Sequence, residues 1–549
     1  PFALYLDDVV EFSAADRLHK ALGGDVHHEY RIKAALLACV RDESYAQGNV
    51  AVNKEELPKL VDSFLHRSCK EEEFSLSMQE YVTALDSLVL EGQFIVDGAI
   101  SQPPSVYLTK NYVAEKTTAE RLRDILVAPK TFFVDDTMVE DMIQRVQSKT
   151  GFRLASEQAQ AIHAAMRSPI SILTGGPGTG KTQTLTTMIK VIAEIKEDAV
   201  IKLCAPTGKA AMRIQELTGM KASTIHRMIG FPHATLDDDS ISCDFVIADE
   251  FSMCDIQICS YLLKCINRQA RLIIVGDHEQ LPSVGPGLVL RDLINSGCIT
   301  VTKLKTVFRQ GKESRIINNA YAIISAPADQ APLLDLAVKP GEDFYFISAD
   351  TQGKILKMIE KSIQRLITEG FPQDQIEVLS PLRGGLIGVE NLNLVLQSLL
   401  NPGSNGYLLD HGIELRCGDK VIQTKNDYDL SVFNGETGVV KAISYTTDNA
   451  ILVSFPTRDV WYSADQSENL DLAYAITTHR SQGSEFQAVI IPVHETILFN
   501  MNKNLLYTAI TRGKKRIVIV GSKSSFYAGI QRSITAERQS NLIRRLESI

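Results

Sequence analysis

The residues best suited to chemistry form one short run, Gly175-Gly176-Pro177-Gly178-Thr179-Gly180-Lys181-Thr182. It follows the β-rich apolar run Ile170–Leu173 and precedes the helical stretch Gln183–Lys196. Glycines let backbone N–H groups converge on the β- and γ-phosphates of a nucleoside triphosphate. The lysine adds a point charge, and the Thr182 hydroxyl is a Mg²⁺ ligand. Gly176, Gly178, Thr179, Gly180, Lys181, Thr182 and Gln183 are therefore assigned to nucleotide binding. Such a loop needs a Mg²⁺-organising carboxylate on a neighbouring strand. Phe245-Val246-Ile247-Ala248-Asp249-Glu250 supplies one: four apolar residues make a buried strand, and the acids sit at its C-terminal end, where open α/β sheets bind ligands. Asp249 would hold Mg²⁺ through water, and Glu250 would polarise the attacking water. Gln280, after the strand-like run Leu272–Val275, is placed to sense the γ-phosphate. Two arginines, Arg309 in Val307-Phe308-Arg309-Gln310 and Arg512 in Tyr507–Arg512, could reach the transferring phosphoryl group from a second domain. An arginine in that role is worth roughly 10³–10⁵ in rate. Lys181, Glu250, Gln280, Arg309 and Arg512 are thus the expected catalytic set.

The elements that must position these residues are legible as periodicity. From about Gly151, β-rich apolar runs alternate with helical segments: Ile170–Leu173, Ile201–Cys204, Phe245–Ala248 and Leu272–Val275. A second such set comprises Ile376–Leu379, Ala488–Ile491 and Arg516–Val520. This alternation predicts parallel sheets covered on both faces. Between about Gly412 and Leu470 the period switches to two, with strands at Lys420–Thr424, Thr437–Ser444, Ala450–Phe455 and Asp459–Tyr462. The turns Asn434-Gly435 and Asp448-Asn449 separate them, as in a small antiparallel barrel. The first 24 residues read as a short helix ending at Gly23-Gly24. The following stretch is mostly helical, with strands at Gln93–Val96 and Ser105–Thr109, as in a winged-helix-like module.

The chain has 549 residues, enough for three or four domains, and its 44% apolar and 22% charged content is ordinary for globular proteins. These values exclude a disordered or collagenous chain. No apolar run approaches the ~18–20 residues of a membrane helix, and no signal peptide opens the sequence. It starts at Pro1 rather than Met, as expected of a trimmed or processed form. The net charge of −9 argues against a polyanion partner, but from Met501 to Ile549 ten lysines and arginines face two acids. That basic strip could bind phosphate backbones or form a solvated helical end. Nine scattered cysteines, with no CxxC pair, read as buried free thiols in a reducing cytoplasm.

Taken together and in order, these motifs resemble those of superfamily 1B helicases of the RecD-like branch, the exodeoxyribonuclease V alpha-subunit family in its longer, stand-alone form. Leu154-Ala155-Ser156-Glu157-Gln158 resembles the motif in which Gln158 reads adenine. The P-loop, Ala205-Pro206-Thr207-Gly208-Lys209-Ala210-Ala211, Thr224-Ile225-His226-Arg227, Asp249–Met253, Gly276–Gly287 and Phe308-Arg309-Gln310 follow. Tyr474–Glu485 and the Arg512 motif complete the set, so the likeness runs from about Gly151 to Ser522. Gly418–Val421, Asn426-Asp427-Tyr428 and Phe433-Asn434-Gly435-Glu436 resemble that branch's SH3-like insertion, and Tyr30-Arg31-Ile32 its N-terminal domain.

The resemblance implies an α/β fold of two RecA-like P-loop NTPase domains with an SH3-like β-barrel insertion and a helical, winged-helix-like N-terminal domain. The expected divisions are 1–24 (a partial helix–hairpin–helix element), 25–149 (N-terminal domain), 150–310 (first motor domain), 311–411 with 471–549 (second motor domain) and 412–470 (insertion). It further implies an ATP- and Mg²⁺-dependent, 5′-to-3′ DNA helicase of recombination or repair, acting on single-stranded and 5′-tailed duplex DNA in a bacterial-type cytoplasm at the nucleoid. The enzyme would work as a monomer or in a larger DNA-processing complex. DNA would lie across Pro206, Thr207, Lys209 and His226 on one side and Thr477, His479, Ser481 and Gln482 on the other. Three departures stand out. Val9 and Glu11 replace hairpin glycines. The strand-splitting pin, near Phe231–Cys243, is short and carries Asp237-Asp238-Asp239. Arg480 replaces a lysine. The acidic pin motivates an alternative, a DNA-stimulated ATPase clamp or motor subunit without autonomous unwinding; an RNA helicase of a related branch is another.

Overall fold

The computed structural model describes residues 1–6, 9–69, 75–230, 239–308, 314–327, 330–336, 341–403, 406–427, 429–444, 449–456, 458–532 and 538–548. Arg309, Gln310, most of the expected pin (231–238), Tyr428 and Asp448 lie outside these residues.

Six parallel strands form the first motor sheet, in the order Ala222–Thr224, Ile201–Ala205, Phe245–Ala248, Arg271–Gly276, Ile170–Gly175, Thr300–Leu304. The inner strands are mostly apolar because helices cover both faces, with Ser171, Thr174, Lys202 and Arg271 as the polar exceptions. Ile170 and Ile172 join one core with Val246, Ala248 and the helix Ile256–Cys265. Leu173, Phe245 and Ile247 point the other way, against Ser156–Arg167 and Lys181–Ile195. A second parallel sheet has the order Phe344–Ser348, Gly513–Gly521, Phe486–Val493, Ile376–Ser380, Ala475–Thr477.

The insertion is a five-stranded antiparallel sheet, Asp459–Ser463, Asn449–Ser454, Thr437–Ile443, Lys420–Gln423 and Leu470–Leu472. Its last strand was not foreseen. A buried ion pair ties it to the second motor sheet, Lys420 Nζ lying 2.7 Å from Glu377 Oε2.

The N-terminal region is helical with a small sheet in which Ser105–Leu108 lies between Ala51–Asn53 and Phe94–Asp97. The first 24 residues hold two helices, Phe2–Leu6 and Phe12–Ala21, rather than one. Fully buried Arg31, on Glu29–Tyr45, pins the second of them through Asp16 at 2.7 Å.

The end of the basic C-terminal strip turns back on the protein. Residues 538–548 leave the second motor domain and pack on the N-terminal region. Gln539 O accepts hydrogen bonds from Val50 N and Ala51 N. Arg545, buried, binds Glu115 (2.8 Å) and Asp97 (2.7 Å) and lies 4.9 Å from the Tyr112 ring. Its charge is thus spent on internal carboxylates. The cysteines also depart in part from expectation. Cys298 and Cys417 are exposed, whereas Cys39, Cys204, Cys243, Cys254, Cys259 and Cys265 are buried free thiols.

Candidate active site

The first three motifs converge because each ends a strand of one sheet at its carboxyl edge. The strand Ile170–Gly175 hands over to the loop, and Lys181–Ile195 starts at Gly180 in a left-handed conformation (φ 83°). A side chain at Gly180 would also meet Gln158 Nε2 at 2.6 Å, and one at Gly176 would meet the Tyr321 hydroxyl at 2.5 Å. The loop glycines are therefore required by both conformation and close approach. Thr179 is buried, its hydroxyl donating to Gly176 O (2.8 Å), so its contribution to a phosphate is its backbone N–H. Lys181 Nζ donates to Gly175 O (2.5 Å) and Gly176 O (3.1 Å).

Asp249 and Glu250 follow Phe245–Ala248. Asp249 Oδ1 accepts from Glu250 N at 2.8 Å, and Glu250 adopts φ 51°, ψ 38°, a strained conformation for a residue with a side chain. Burial, then the Glu250 charge, pushes the Asp249 carboxyl up to about 6, against the pull of Lys181 and Arg213. Bound cations would reverse that balance.

The second motor domain closes the site through one helix face. Asn504, Tyr507 and Thr508 recur at helical spacing on Lys503–Thr511, with Arg512 at its C-terminus. Asn504 Nδ2 donates to Glu279 O (2.9 Å), the Tyr507 hydroxyl to Asp277 Oδ2 (2.9 Å), and the Thr508 hydroxyl accepts from Leu281 N (2.8 Å). Arg512 Nη2 donates to Gln280 Oε1 at 3.1 Å, while its other nitrogens hold Ser484 O and Thr508 O. Both catalytic expectations, Gln280 and Arg512, thus meet across the domain boundary.

Between the domains lies a cavity of about 480 Å³ lined by Gly176, Gly178, Gly180, Lys181, Thr182, Gln183, Asp249, Glu250, Gln280 and Arg512. Three further lining residues were given no role from the sequence, although Phe308 and Glu485 lie within its motifs. Arg213 pairs with Glu485 of the second domain at 2.9 Å, and Glu485 also holds Lys514 at 2.9 Å. Burial opposes the Arg213 charge, yet Glu485 outweighs it and raises the pKa. Phe308 packs by Gly180, its N–H on Gly178 O (2.9 Å) and its ring half-exposed.

The residues fit a nucleotide. Gln158 is buried with Nε2 beside Gly180 and without a hydrogen-bond partner, while its Oε1 is fixed by Ala155 N (3.0 Å). An orphaned amide next to an exposed aromatic ring is a base-sized recognition edge. Among the described residues no three His, Cys, Asp or Glu cluster as a metal cage. Thr182 with Asp249 suits Mg²⁺ held partly by phosphates.

The expected DNA contacts divide. Thr207 caps the helix Gly208–Thr218 through Ala210 N (3.3 Å) and is half-buried beside Pro206. His226 is half-buried, Thr477 accepts from Arg480 N (3.3 Å), and His479 is exposed. Three residues have partners within the protein. Ser481 is fully buried, donating to Thr478 O (2.7 Å). Gln482 crosses to Leu281 O (2.9 Å) as part of the domain interface. Lys209 turns inward over the Phe486 ring (5.7 Å). Burial brings its pKa down to about 8, against the pull of the Glu377 carboxylate.

Comparison with known proteins decides the family. The ATP-dependent RecD2 DNA helicase of Deinococcus radiodurans is 31% identical over 558 residues, covering 100% of this chain and 73% of that protein. The chain belongs to the RecD-like DNA helicases. The RecBCD enzyme subunit RecD of Mycolicibacterium smegmatis is 30% identical over 476 residues, 77% of this chain and 82% of the relative. Matching sequence families are an AAA domain (158–286), the ATP-dependent RecD-like DNA helicase SH3 domain (392–455) and a UvrD-like helicase C-terminal domain (472–520). A Bacteroides Pif1 helicase crystallised with ADP-AlF3 and ssDNA aligns with TM-score 0.39 and 20% identity over 67% of this chain and 92% of that one. As a RecD-like helicase the protein is an ATP-hydrolysing DNA helicase with two RecA-like domains and an SH3 domain of RecD type. Among the described residues no helix is long and apolar enough to cross a membrane.

Proposed function

We propose that this helicase moves 5′ to 3′ along single-stranded DNA, opens 5′-tailed duplexes in recombination or repair, and uses Mg²⁺ with ATP in the interdomain cavity. One observation carries the reading: the arginine of the second domain, Arg512, is hydrogen-bonded to Gln280 of the first at the rim of the P-loop cavity. When bound, ATP supplies the transferable γ-phosphoryl group and the free energy of its hydrolysis. Lys181 and the P-loop N–H groups neutralise phosphate charge, and Gln158 holds the base edge. Thr182 directly, and Asp249 through water, would hold Mg²⁺. Glu250 orients water and accepts its proton at the carboxylate. Arg512 stabilises charge on the phosphoryl oxygens, with Gln280 held against it. Loss of that charge weakens the contacts spanning the boundary, so the domains alternate between closed and open states. Opening a base pair costs about 1.4 kcal/mol of stacking per step, which such a cycle readily biases. The acidic pin that favours a clamp is softened at Asp239, whose carboxylate is paired with Arg121 (2.6 Å) and Arg268 (3.2 Å).

Strand displacement on duplexes with opposite tails tests the reading. Unwinding of the 5′-tailed substrate alone is expected. ATPase activity without displacement would make the protein a clamp, and displacement from a 3′ tail would reverse the direction.

A further inference from the structure

Arg538 and Arg545 sit seven residues apart on the returning C-terminal segment and are treated in opposite ways. Arg545 is buried against two carboxylates. Arg538 is half-buried, and its hydrogen bonds among the described residues go to carbonyl oxygens alone, Gly285 O (3.3 Å) and Gly287 O (3.1 Å). The Ser283 hydroxyl donates to the same two carbonyls. Arg538 Nε is buried with no acceptor. The guanidinium lies so close to Gly48 that a side chain there would meet its carbon at 2.3 Å. Both neighbours of the contact are fixed: Gln539 N donates to Asn49 Oδ1 (2.6 Å), and Gly287 N to Gly48 O (2.9 Å). Burial brings the Arg538 pKa down to about 10.

A rigidly held, desolvated guanidinium with no carboxylate among its described partners is costly unless an anion completes it. Its surroundings indicate which anion. Arg538 is not among the residues lining the nucleotide cavity. The loop whose carbonyls hold it also accepts Gln482 Nε2 at Leu281 O (2.9 Å), three residues after exposed His479. On the other side, the Gly285 loop closes on Asp255, and Pro286 O accepts from Ile256 N (3.0 Å), which shares a core with Ile225 beside His226. Arg538 therefore stands between the His226 edge of the first motor domain and the His479 edge of the second.

We propose that Arg538 is a nucleic-acid contact, binding a backbone phosphate of single-stranded DNA where the strand passes from one motor domain to the other. The inference rests on the DNA path of the proposed function. The C-terminal segment thereby contributes to the track, through one arginine held in place by the N-terminal region.

The test measures oligo(dT) affinity against salt for the full chain, Arg538→Gln and Arg538→Lys. A single phosphate contact contributes about 0.7 to the slope of log affinity on log salt. The glutamine variant should lose about that much slope, the lysine variant should recover it, and ATP affinity should not change. In the unmodified protein, oligo(dT) should protect Arg538 from phenylglyoxal, read by mass spectrometry, so the answer does not depend on the variants folding. An unaltered slope in Arg538→Gln, or unprotected Arg538, overturns the proposal and leaves the DNA track intact. A salt-independent wild type overturns the track itself.

Discussion

Replacing Asp249 with Asn is expected to stabilise the protein and disable it together. The amide oxygen can still accept from Glu250 N, which lies 2.8 Å from Asp249 Oδ1, so the local geometry is kept while the charge is removed. In the native site burial and Glu250 raise the carboxyl from 3.8 to about 6. At about 1.36 kcal/mol per decade, a difference of roughly two decades corresponds to ~3 kcal/mol. The sign follows from linkage: a carboxyl held above its unfolded value penalises the folded state as pH rises from about 4 to about 6, and by a constant amount beyond. Without Mg²⁺ the variant should therefore match wild type near pH 4 and be more stable above pH 6, by about 1–3 kcal/mol in the motor sheet. A chain of several domains has no single unfolding equilibrium, so the measurement is amide-exchange protection of the strand Phe245–Ala248 at pH 5 and 7.5. Adding Mg²⁺ and ATP should raise protection in wild type much more than in the variant. Turnover should fall at least about tenfold, the scale for residues that hold a metal through an intermediary. Equal or weaker protection in Asp249→Asn at pH 7.5 without Mg²⁺ would refute the electrostatic reasoning, and undiminished turnover would remove Asp249 from the site.

Three further outcomes are expected. Lys181→Ala should abolish hydrolysis while nucleotide-free DNA binding survives; turnover in that variant, followed by phosphate release, would remove the P-loop assignment. Arg512→Ala should retain ATP binding and lose turnover by at least about a hundredfold; a wild-type rate in a steady-state ATPase assay would place Arg512 outside the reaction. Arg545→Ala leaves Glu115 and Asp97 buried without their cation, a loss of about 3–5 kcal/mol. Limited proteolysis should then release residues 538–548 sooner, and resistance equal to wild type would show that the pair does not hold this segment.

The fold was legible where both faces of a strand are buried. Ile170–Gly175 and Phe245–Ala248 read as apolar runs because burial on both faces favours apolar side chains and admits only small hydroxyls such as Ser171 and Thr174. Thr300–Leu304 was missed because an edge strand alternates with polar residues, and Ala475–Thr477 because it is three residues long and merges with a motif. In the site, the P-loop announces itself because phosphate recognition is done by backbone, which restricts the sequence tightly. Arg213 and Glu485 carry no such signature: they pair across the domain boundary, and each alone is an ordinary surface charge. Arg545 showed only as part of an excess of charge, because its carboxylate partners lie more than 400 positions earlier.

The pair between Glu377 and Lys420 bears on how the barrel could be gained or lost. Glu377 is fully enclosed in the second sheet, and its cation arrives from the first strand of the main barrel sheet. A shortened descendant lacking that barrel would be left with a bare carboxylate in its interior. Module exchange between branches therefore has to carry position 377 along, making the insertion heritable as a two-part character rather than a detachable cassette.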